Sequence, residues 1–522
     1  AAAIAEMRRR KQRPAKPFAL MFPSLASLAE FDLTSAQIEA LTRHEAPIIL
    51  LEKPAQSSLA PGLADELPEL GVMLPYAPLF ARILTEASHP IVATSANVSH
   101  APIVADEQQQ TVLTALADLI LHHNRPIISP QDDSVIRFSP KHQQRIILRR
   151  SRGIAPNFFG HKQKAELSLI AAGADMKSAF GILHEGQYYL SQYLGDLSHY
   201  DTQLRYQTVS AHLQEVLIHH PTAVLTDKHP EYISRRIGQD IGSRANLDVH
   251  DFFHHHAHFA AVMAEHDLFE QEKVIGVIWD GSGWGGNAEL WGGEMFEWEK
   301  PFMQRLGHIQ TFPNLAGDKM AREPRLCSFA MLNDEKDVRA KFTEKELKIY
   351  DRLIQNASLQ SSSMGRLFDA AASVLDICQK QGFEGEAAMK LEGLGYAFWR
   401  QNQLLPEGYP MDYDAPVLDG RKLLLAMLQD RQEGQRIGEI ALKFHVTLCQ
   451  FVAHIARKHQ AKHIAFSGGV FQNALLVDLM IDSLEKDFSL HFHEQLSPND
   501  ENIALGQMAL YQLRLQNMYA EN

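Results

Sequence analysis

Six short apolar runs punctuate the first 155 residues: "FALMF" (18–22), "PIILLE" (47–52), "GVMLPY" (71–76), "PIVATSAN" (90–97), "SVIRF" (134–138) and "RIILRR" (145–150). Helical spacing of apolar positions fills the gaps between them. Strands alternating with helices predict an α/β domain over residues 1–155. The pattern then stops: "SRGIAPNFFGHKQKAE" (151–166) supplies Gly, Pro, Asn and Lys without a period. Such punctuation marks a boundary, with residues 156–166 as linker and 167–522 as a second region. In that region "LSLIAAGADMKSAFGILHEGQYYLSQYLGD" (167–196) reads strand, polar turn, strand, tight turn, strand. "VIGVIWDGSGWGGNAELWGGEMFEWEKPFMQRLGHI" (274–309) repeats the scheme, and "HIAFSGGVFQNALLVDLM" (463–480) reads strand, Gly-Gly turn, helix.

Each repeat opens with an apolar run ending in Gly or Asp, where backbone amides can approach a phosphate. A single glycine turn is weak evidence, since any hairpin uses one. The ordered set of three resembles the two-lobed nucleotide-binding fold shared by actin, Hsp70 and sugar kinases. The expected architecture is therefore α/β throughout, a smaller domain followed by a two-lobed one.

Composition narrows the function. The 522 residues carry 50 basic and 63 acidic side chains, net −13, which argues against a large nucleic-acid footprint. There are three cysteines (Cys327, Cys378, Cys449) and no CxxC pair, so neither a disulfide framework nor a cysteine zinc finger is expected. That usage suits a reducing cytosol, and no apolar run reaches the ~18 residues of a membrane span. The chain starts "AAAIAEMRRR" without an initiator Met or a signal-peptide core and passes straight into a patterned segment. It reads as a fragment cut inside a domain.

Candidate chemistry begins at "RRRKQRPAKP" (8–17), with Arg8, Arg9, Arg10, Lys11, Arg13 and Lys16 in ten residues. A solvated charge run or a basic targeting patch is the bland reading. Prolines fix the local backbone, however, and extended K-x-R-P geometry would set Lys11 and Arg13 on one side, suited to a triphosphate. "VATSANVS" (92–99) ends a strand in hydroxyl and amide groups. "QDDSVIRF" and "ILRRSRG" add Ser134, Arg149, Arg150 and Arg152. "KQRPAKP", "TSAN", "DDSV" and "ILRRSRG", in that order, resemble the YrdC/Sua5 family, which makes carbamoyl- or threonylcarbamoyl-adenylate from ATP. The resemblance covers residues 1 to about 155, and lacks the part that precedes the K-x-R motif in that family. It implies ATP contacts at Lys11, Arg13, Lys16, Ser95, Asn97, Ser134 and Arg149.

"FFHHHAHFAAVMAEH" (252–266) holds four histidines in five positions. On a helix i and i+4 share a face, so His254 and His258 can converge on one ion while His255 and His256 point elsewhere. The protease motif HExxH fails, because position 255 is His rather than Glu. A third ligand is needed, and Asp500 stands at the start of a late helical pattern. "HHHAH", "DGSGWGGNAELWGGE", "SGGVFQN" and "PNDENIALGQ" are similar to the TsaD/Kae-type family of the two-lobed fold. That similarity implies His254, His258 and Asp500 as metal ligands with a catalytic role. It implies nucleotide contacts at Asp280, Gly281, Ser282, Gly283, Gly385, Gly468, Gly469 and Asn473. The family's glycines after the Asp are replaced by Glu501 and Asn502.

Both families in one chain, with "HPEYISRR" (229–236), "REPRLCSFA" (322–330) and "GEAAMKLEGL" (385–394), resemble the hydrogenase maturation carbamoyltransferases of the HypF family. The resemblance implies ATP (with Mg) and carbamoyl phosphate as substrates, a carbamoyl-adenylate intermediate and the C-terminal cysteine of HypE as acceptor. The transferred group would become the cyanide ligand of [NiFe]-hydrogenase. Members also carry an acylphosphatase-like domain and zinc fingers, and the expectation is that this sequence is a fragment without them. The metal would be iron or zinc, and no nucleic-acid or membrane partner is expected. Three rivals share features: O-carbamoyl transfer to a small-molecule hydroxyl, tRNA threonylcarbamoylation, and a non-enzymatic actin-like switch. "REPRLCSFA" and "GEAAMKLEGL" argue against the first, the acidic balance against the second, and "HHHAH" with the whole first domain against the third.

Overall fold

The computed structural model describes every residue except 55–58, 66, 99–100, 106–109, 161–166, 414 and 521–522. Two compact units result: residues 1–138, 145–251 and 494–508 form the first, and residues 139–144, 252–493 and 509–522 the second.

The first unit contains two six-stranded sheets. All six apolar runs of the N-terminal segment become strands of one sheet, in the order Ile91–Ala93, Ala19–Met21, Glu69–Met73, Ile48–Glu52, Val135–Phe138, Arg145–Arg149. Parallel and antiparallel neighbours are mixed, and Gly71 opposes Ala19 in a close parallel pair. Phe18, Leu20, Ile49, Leu51, Val72 and Ile147 make the centre of its core and are at most 3% exposed. Burying side chains of this size stabilises by about 1.5–3 kcal/mol each before conformational entropy is subtracted.

The other sheet runs Asp248–Phe252, Ala223–Asp227, Leu169–Ala171, Gly181–His184, Gln187–Leu190, Asn157–Gly160. Its third, fourth and fifth strands are the predicted strand–turn–strand–turn–strand segment. Residues 157–160, which the sequence placed in the linker, pair antiparallel with Gln187–Leu190, while 161–166 fall outside the described residues. The start of the helix Ile503–Leu515 lies against this sheet: Gly173 donates its N–H to Gln507 Oε1 at 3.0 Å, and a Cβ on Gly181 would sit 2.5 Å from Met508.

The second unit is built on an eight-stranded sheet whose path is Phe312–Pro313, Gln360–Ser361, Glu289–Glu299, Val274–Gly286, His463–Ser467, Ser489–Phe492, with Phe302–Ile309 branching from Glu289–Glu299 and Val417–Leu418 pairing with Phe302–Ile309. The helix His254–Glu265 lies against the strands Val274–Gly286 and His463–Ser467. Its composition is apolar or histidine almost all round, the mark of a buried rather than a surface helix. Gly276 admits it: a Cβ there would fall 2.7 Å from the Phe259 ring. Among the described residues no helix is long and apolar enough to cross a membrane.

Candidate nucleotide and metal sites

The basic run is not extended as its prolines suggested. Residues Ala2–Lys11 are helical, and Gln12 stops the helix in the left-handed region at φ 51°. Proline at 14 cannot continue a helix, and four cations in the last turn suit its negative end. The run also divides by partner. Arg9 and Arg10 pair with Glu6, while Arg8 donates to the Gly62 carbonyl through Nε at 3.0 Å.

Lys11 is brought together with Ser95 and Asn97. Its ammonium donates to the carbonyls of Ser95 (2.5 Å) and Asn97 (2.7 Å) and to Asn97 Oδ1 (3.1 Å), and Ser95 Oγ donates to the same Oδ1 at 2.7 Å. Burial, then Arg13, pushes Lys11 down to about 8 against the pull of Asp132. Burial, then Arg8 and Arg149, pushes Arg13 down to about 10. These cations repel one another in a partly buried place, so a polyphosphate entering there gains from all of them at once.

Arg149 is held at the edge of this group, its Nε donating to the Asp133 carbonyl at 2.9 Å. Lys16 is exposed, and its carbonyl accepts from Arg8 and Arg13. Ser134 is fully buried with its hydroxyl committed to the backbone: it accepts from Ser151 N–H at 2.8 Å and donates to the Arg152 carbonyl at 3.0 Å.

In the second unit none of the four clustered histidines lies on a wet face; His254, His255, His256 and His258 are all buried. Nε2 of His254 and Nε2 of His258 each stand 3.6 Å from Asp280 Oδ2. That is long for a hydrogen bond. Two ligand atoms sharing a tetrahedral ion at about 2.1 Å would stand about 3.4 Å apart, so the spacing suits a common ion. Burial opposes ionisation of Asp280, but the two imidazoles hold its carboxyl well below the ordinary range. Ligand atoms of this trio all lie within 4.8 Å of one another, and two imidazoles with a carboxylate form a donor set suited to iron or zinc. His256 bonds Tyr519 Oη through Nδ1 at 2.9 Å. His255 is held well below its ordinary pKa by burial, and its Nε2 stands 3.9 Å from Glu294 Oε2.

Asp280 is the ligand candidate that the sequence reading missed, having been assigned to the nucleotide alone. The available signal was its place at the end of "VIGVIWD", where a strand delivers its last side chain to a glycine turn. The surrounding glycines are steric requirements. A Cβ on Gly283 would lie 2.7 Å from the His254 ring, and one on Gly468 would lie 2.1 Å from the Trp279 carbonyl. Gly468 also adopts φ +101°, which only glycine enters readily. Gly469 donates its N–H to Asp280 Oδ1 at 2.9 Å. Gly281 differs: nothing lies within 4 Å of its Cβ position. Ser282 beside it is exposed.

Asn473 is engaged within the fold. Its Oδ1 accepts from Leu476 N–H at 2.8 Å, capping the helix Ala474–Leu484, and its Nδ2 donates to His445 Nε2 at 3.1 Å. Gly385 caps the helix Glu386–Asn402 with φ 79° and open space at its Cβ position. Asp500 begins the 3-10 turn Asp500–Asn502 in the first unit, where fully buried Glu501 accepts from Arg150 N–H at 3.0 Å. Cys327, Cys378 and Cys449 are buried free thiols. Cys378 lies in the loop after Met364–Val374, and burial pushes it up to about 11.

A polyphosphate-suited α/β domain joined to a second unit with an imidazole–carboxylate group and glycine turns defines a class: a nucleotide-using transferase with a Kae1-like domain. Family models match along the chain: the Sua5/YrdC model, described as telomere recombination, over residues 1–151; the HypF Kae1-like domain over 164–265; and the second subdomain of the carbamoyltransferase Kae1-like domain over 276–507. The carbamoyltransferase HypF of Synechocystis is 33% identical across 97% of this chain and 68% of its own length. That of Rhodobacter capsulatus is 34% identical across 99% and 69%. A crystal structure of full-length HypF in a phosphate- and nucleotide-bound form superposes with a TM-score of 0.91, 31% identity and coverage of 99% of this chain and 82% of that one. The chain belongs to the HypF carbamoyltransferase family.

Proposed function

We propose that the chain catalyses ATP-dependent carbamoyl transfer in two stages, with Mg-ATP as the nucleotide. In the first, a carbamate oxygen attacks the α-phosphorus of ATP, forming carbamoyl-adenylate and releasing pyrophosphate. The carbamate would come from carbamoyl phosphate, hydrolysed elsewhere in the full-length protein. In the second, the thiolate of the C-terminal cysteine of HypE attacks the carbamoyl carbon, a C–S bond forms and AMP leaves. The thiocarboxamide so made is the source of the hydrogenase cyanide ligand, and the work belongs in the cytoplasm.

The observation that carries this reading is the mutually repelling group of Lys11 and Arg13, with Arg149 bearing on it, beside Ser95 and Asn97. Lys11 and the Arg13 fork would hold and orient the triphosphate, so that the leaving pyrophosphate is matched by fixed positive charge. In the second unit His254, His258 and Asp280 would hold a divalent iron or zinc ion. Such an ion, when bound, acts as a Lewis acid and a template for anionic oxygens. Around it the chain keeps Asp280 ionised, aims its other oxygen at the Gly469 N–H, and keeps Gly281, Ser282 and Gly385 open to the nucleotide.

The test is carbamate-dependent ATP–pyrophosphate exchange, followed by mass spectrometry of the HypE C-terminal peptide. Lys11→Ala or Arg13→Ala should lower exchange at least tenfold. Exchange that needs no carbamate, or a carbamoyl group found on a small-molecule hydroxyl instead of the cysteine, would overturn the reading.

A further inference from the structure

Behind His258 a file of buried polar groups leads away from the candidate metal position. Ser467 Oγ lies 3.3 Å from His258 Nδ1 and 2.9 Å from His493 Nε2, and His493 Nδ1 lies 2.5 Å from Glu265 Oε2. Ser467 and His258 are fully buried, and the side chains of His493 and Glu265 are 1% and 2% exposed. Three elements supply them: Ser467 ends the strand His463–Ser467, His258 and Glu265 lie two turns apart on one helix, and His493 follows the strand Ser489–Phe492.

An ionised Glu265 and a neutral His493 together set the direction of every hydrogen bond in the file. Ionised Glu265 only accepts, so His493 Nδ1 carries a proton and donates to it. Burial lowers the His493 pKa, although Glu265 opposes this, which favours the neutral ring whose Nε2 is then an acceptor. Ser467 O–H must donate to that nitrogen, leaving its oxygen to accept from His258 Nδ1–H. A neutral His258 protonated on Nδ1 has its lone pair on Nε2, the atom that faces Asp280. The opposite polarity would put a proton on Nε2, where no metal could be bound.

We infer that Glu265, His493 and Ser467 form a positioning relay that fixes the tautomer of His258 and so primes it as a metal ligand. This rests on the metal reading above. Metal-bound histidines commonly donate their second N–H to a carboxylate or carbonyl, and loss of such partners typically weakens binding about 10–100-fold. Here the carboxylate is two groups removed, with a serine and a second imidazole between. The same strand end serves both ligands, since Gly469, two residues after Ser467, donates to Asp280.

The experiment is Zn(II) affinity by chelator competition on the whole chain, for wild type, Ser467→Ala, His493→Phe and Glu265→Gln, with His254→Ala as control. Ser467→Ala and His493→Phe should each weaken Zn(II) binding about 10–100-fold, with thermal stability of the metal-free chain and ATP affinity little changed. Glu265→Gln should weaken it less, because an amide oxygen can still accept from His493. Imidazole nitrogen NMR should place the His258 proton on Nδ1 in wild type and on both nitrogens in Ser467→Ala. Unchanged Zn(II) affinity in Ser467→Ala and His493→Phe would overturn the relay while leaving the metal site standing. Wild type that binds no Zn(II) or Fe(II), or that binds as well after His254→Ala, would overturn the metal reading itself. If His493→Phe does not fold, Ser467→Ala, which removes a single oxygen, decides the question.

Discussion

His445 is a histidine whose place in the fold depends on being neutral. Its Nδ1 donates to the Ala441 carbonyl at 2.8 Å and its Nε2 accepts from Asn473, so a second proton would break the contact that steadies the helix cap. Burial pushes it from 6.5 down to about 4. The unfolded chain therefore takes up a proton that the folded chain refuses between those values. Stability falls as pH drops from about 6.5 towards 4, by up to roughly 3 kcal/mol for this group. Urea midpoints measured across that window should show a shallower slope in His445→Gln than in wild type. At this scale the sequence was legible where spacing alone decides, as for His254 and His258. It was silent on Ser467, His493 and Glu265. Only three-dimensional packing brings position 493 beside 265 and 467, and no local pattern marks any of them.

At the scale of elements, glycines at the ends of strands separate structural from ligand-facing positions. Gly468→Ala would set a Cβ against the Trp279 carbonyl in a left-handed conformation, and should cost at least about 2 kcal/mol in denaturant unfolding. Gly281→Ala meets nothing within 4 Å, so its unfolding midpoint should match wild type. If Gly281 lines the nucleotide, ADP affinity should fall in that variant all the same, as isothermal titration would measure. The apolar runs foretold all six strands of the first sheet, because a buried strand writes its own period. The basic segment did not follow its prolines. The helix Ala2–Lys11 is settled by Ile4, which packs into the core at 7% exposure, and by Arg8 reaching the Gly62 carbonyl, contacts with residues some 50 positions away. Asn157–Gly160 was hidden for the same reason: its partner strand, Gln187–Leu190, lies further along the chain.

For the whole molecule, the candidate chemistry falls into groups that can be disabled one at a time. Arg13→Ala should lower carbamate-dependent pyrophosphate exchange at least tenfold while leaving Zn(II) affinity unchanged, and His254→Ala should do the reverse. A variant that loses both would show that the two activities share one site. The fold class was readable from the order of motifs: short apolar runs alternating with helical patterns, then glycine turns at strand ends. Asp280 was not readable as a ligand, because a strand-end Asp in a glycine turn fits a phosphate turn equally well.

The three buried thiols have a practical consequence for assaying the transfer. A thiolate, not a thiol, reacts with alkylating reagents, and burial raises Cys327, Cys378 and Cys449 away from that form. In the folded state the chain should therefore stay unlabelled by iodoacetamide at neutral pH, as intact-mass measurement would check. If the acceptor is the cysteine-bearing protein proposed above, a reaction mixture then has one reactive cysteine population, the acceptor's own. Loss of labelling over time would read out carbamoylation directly, without isotopes or separation.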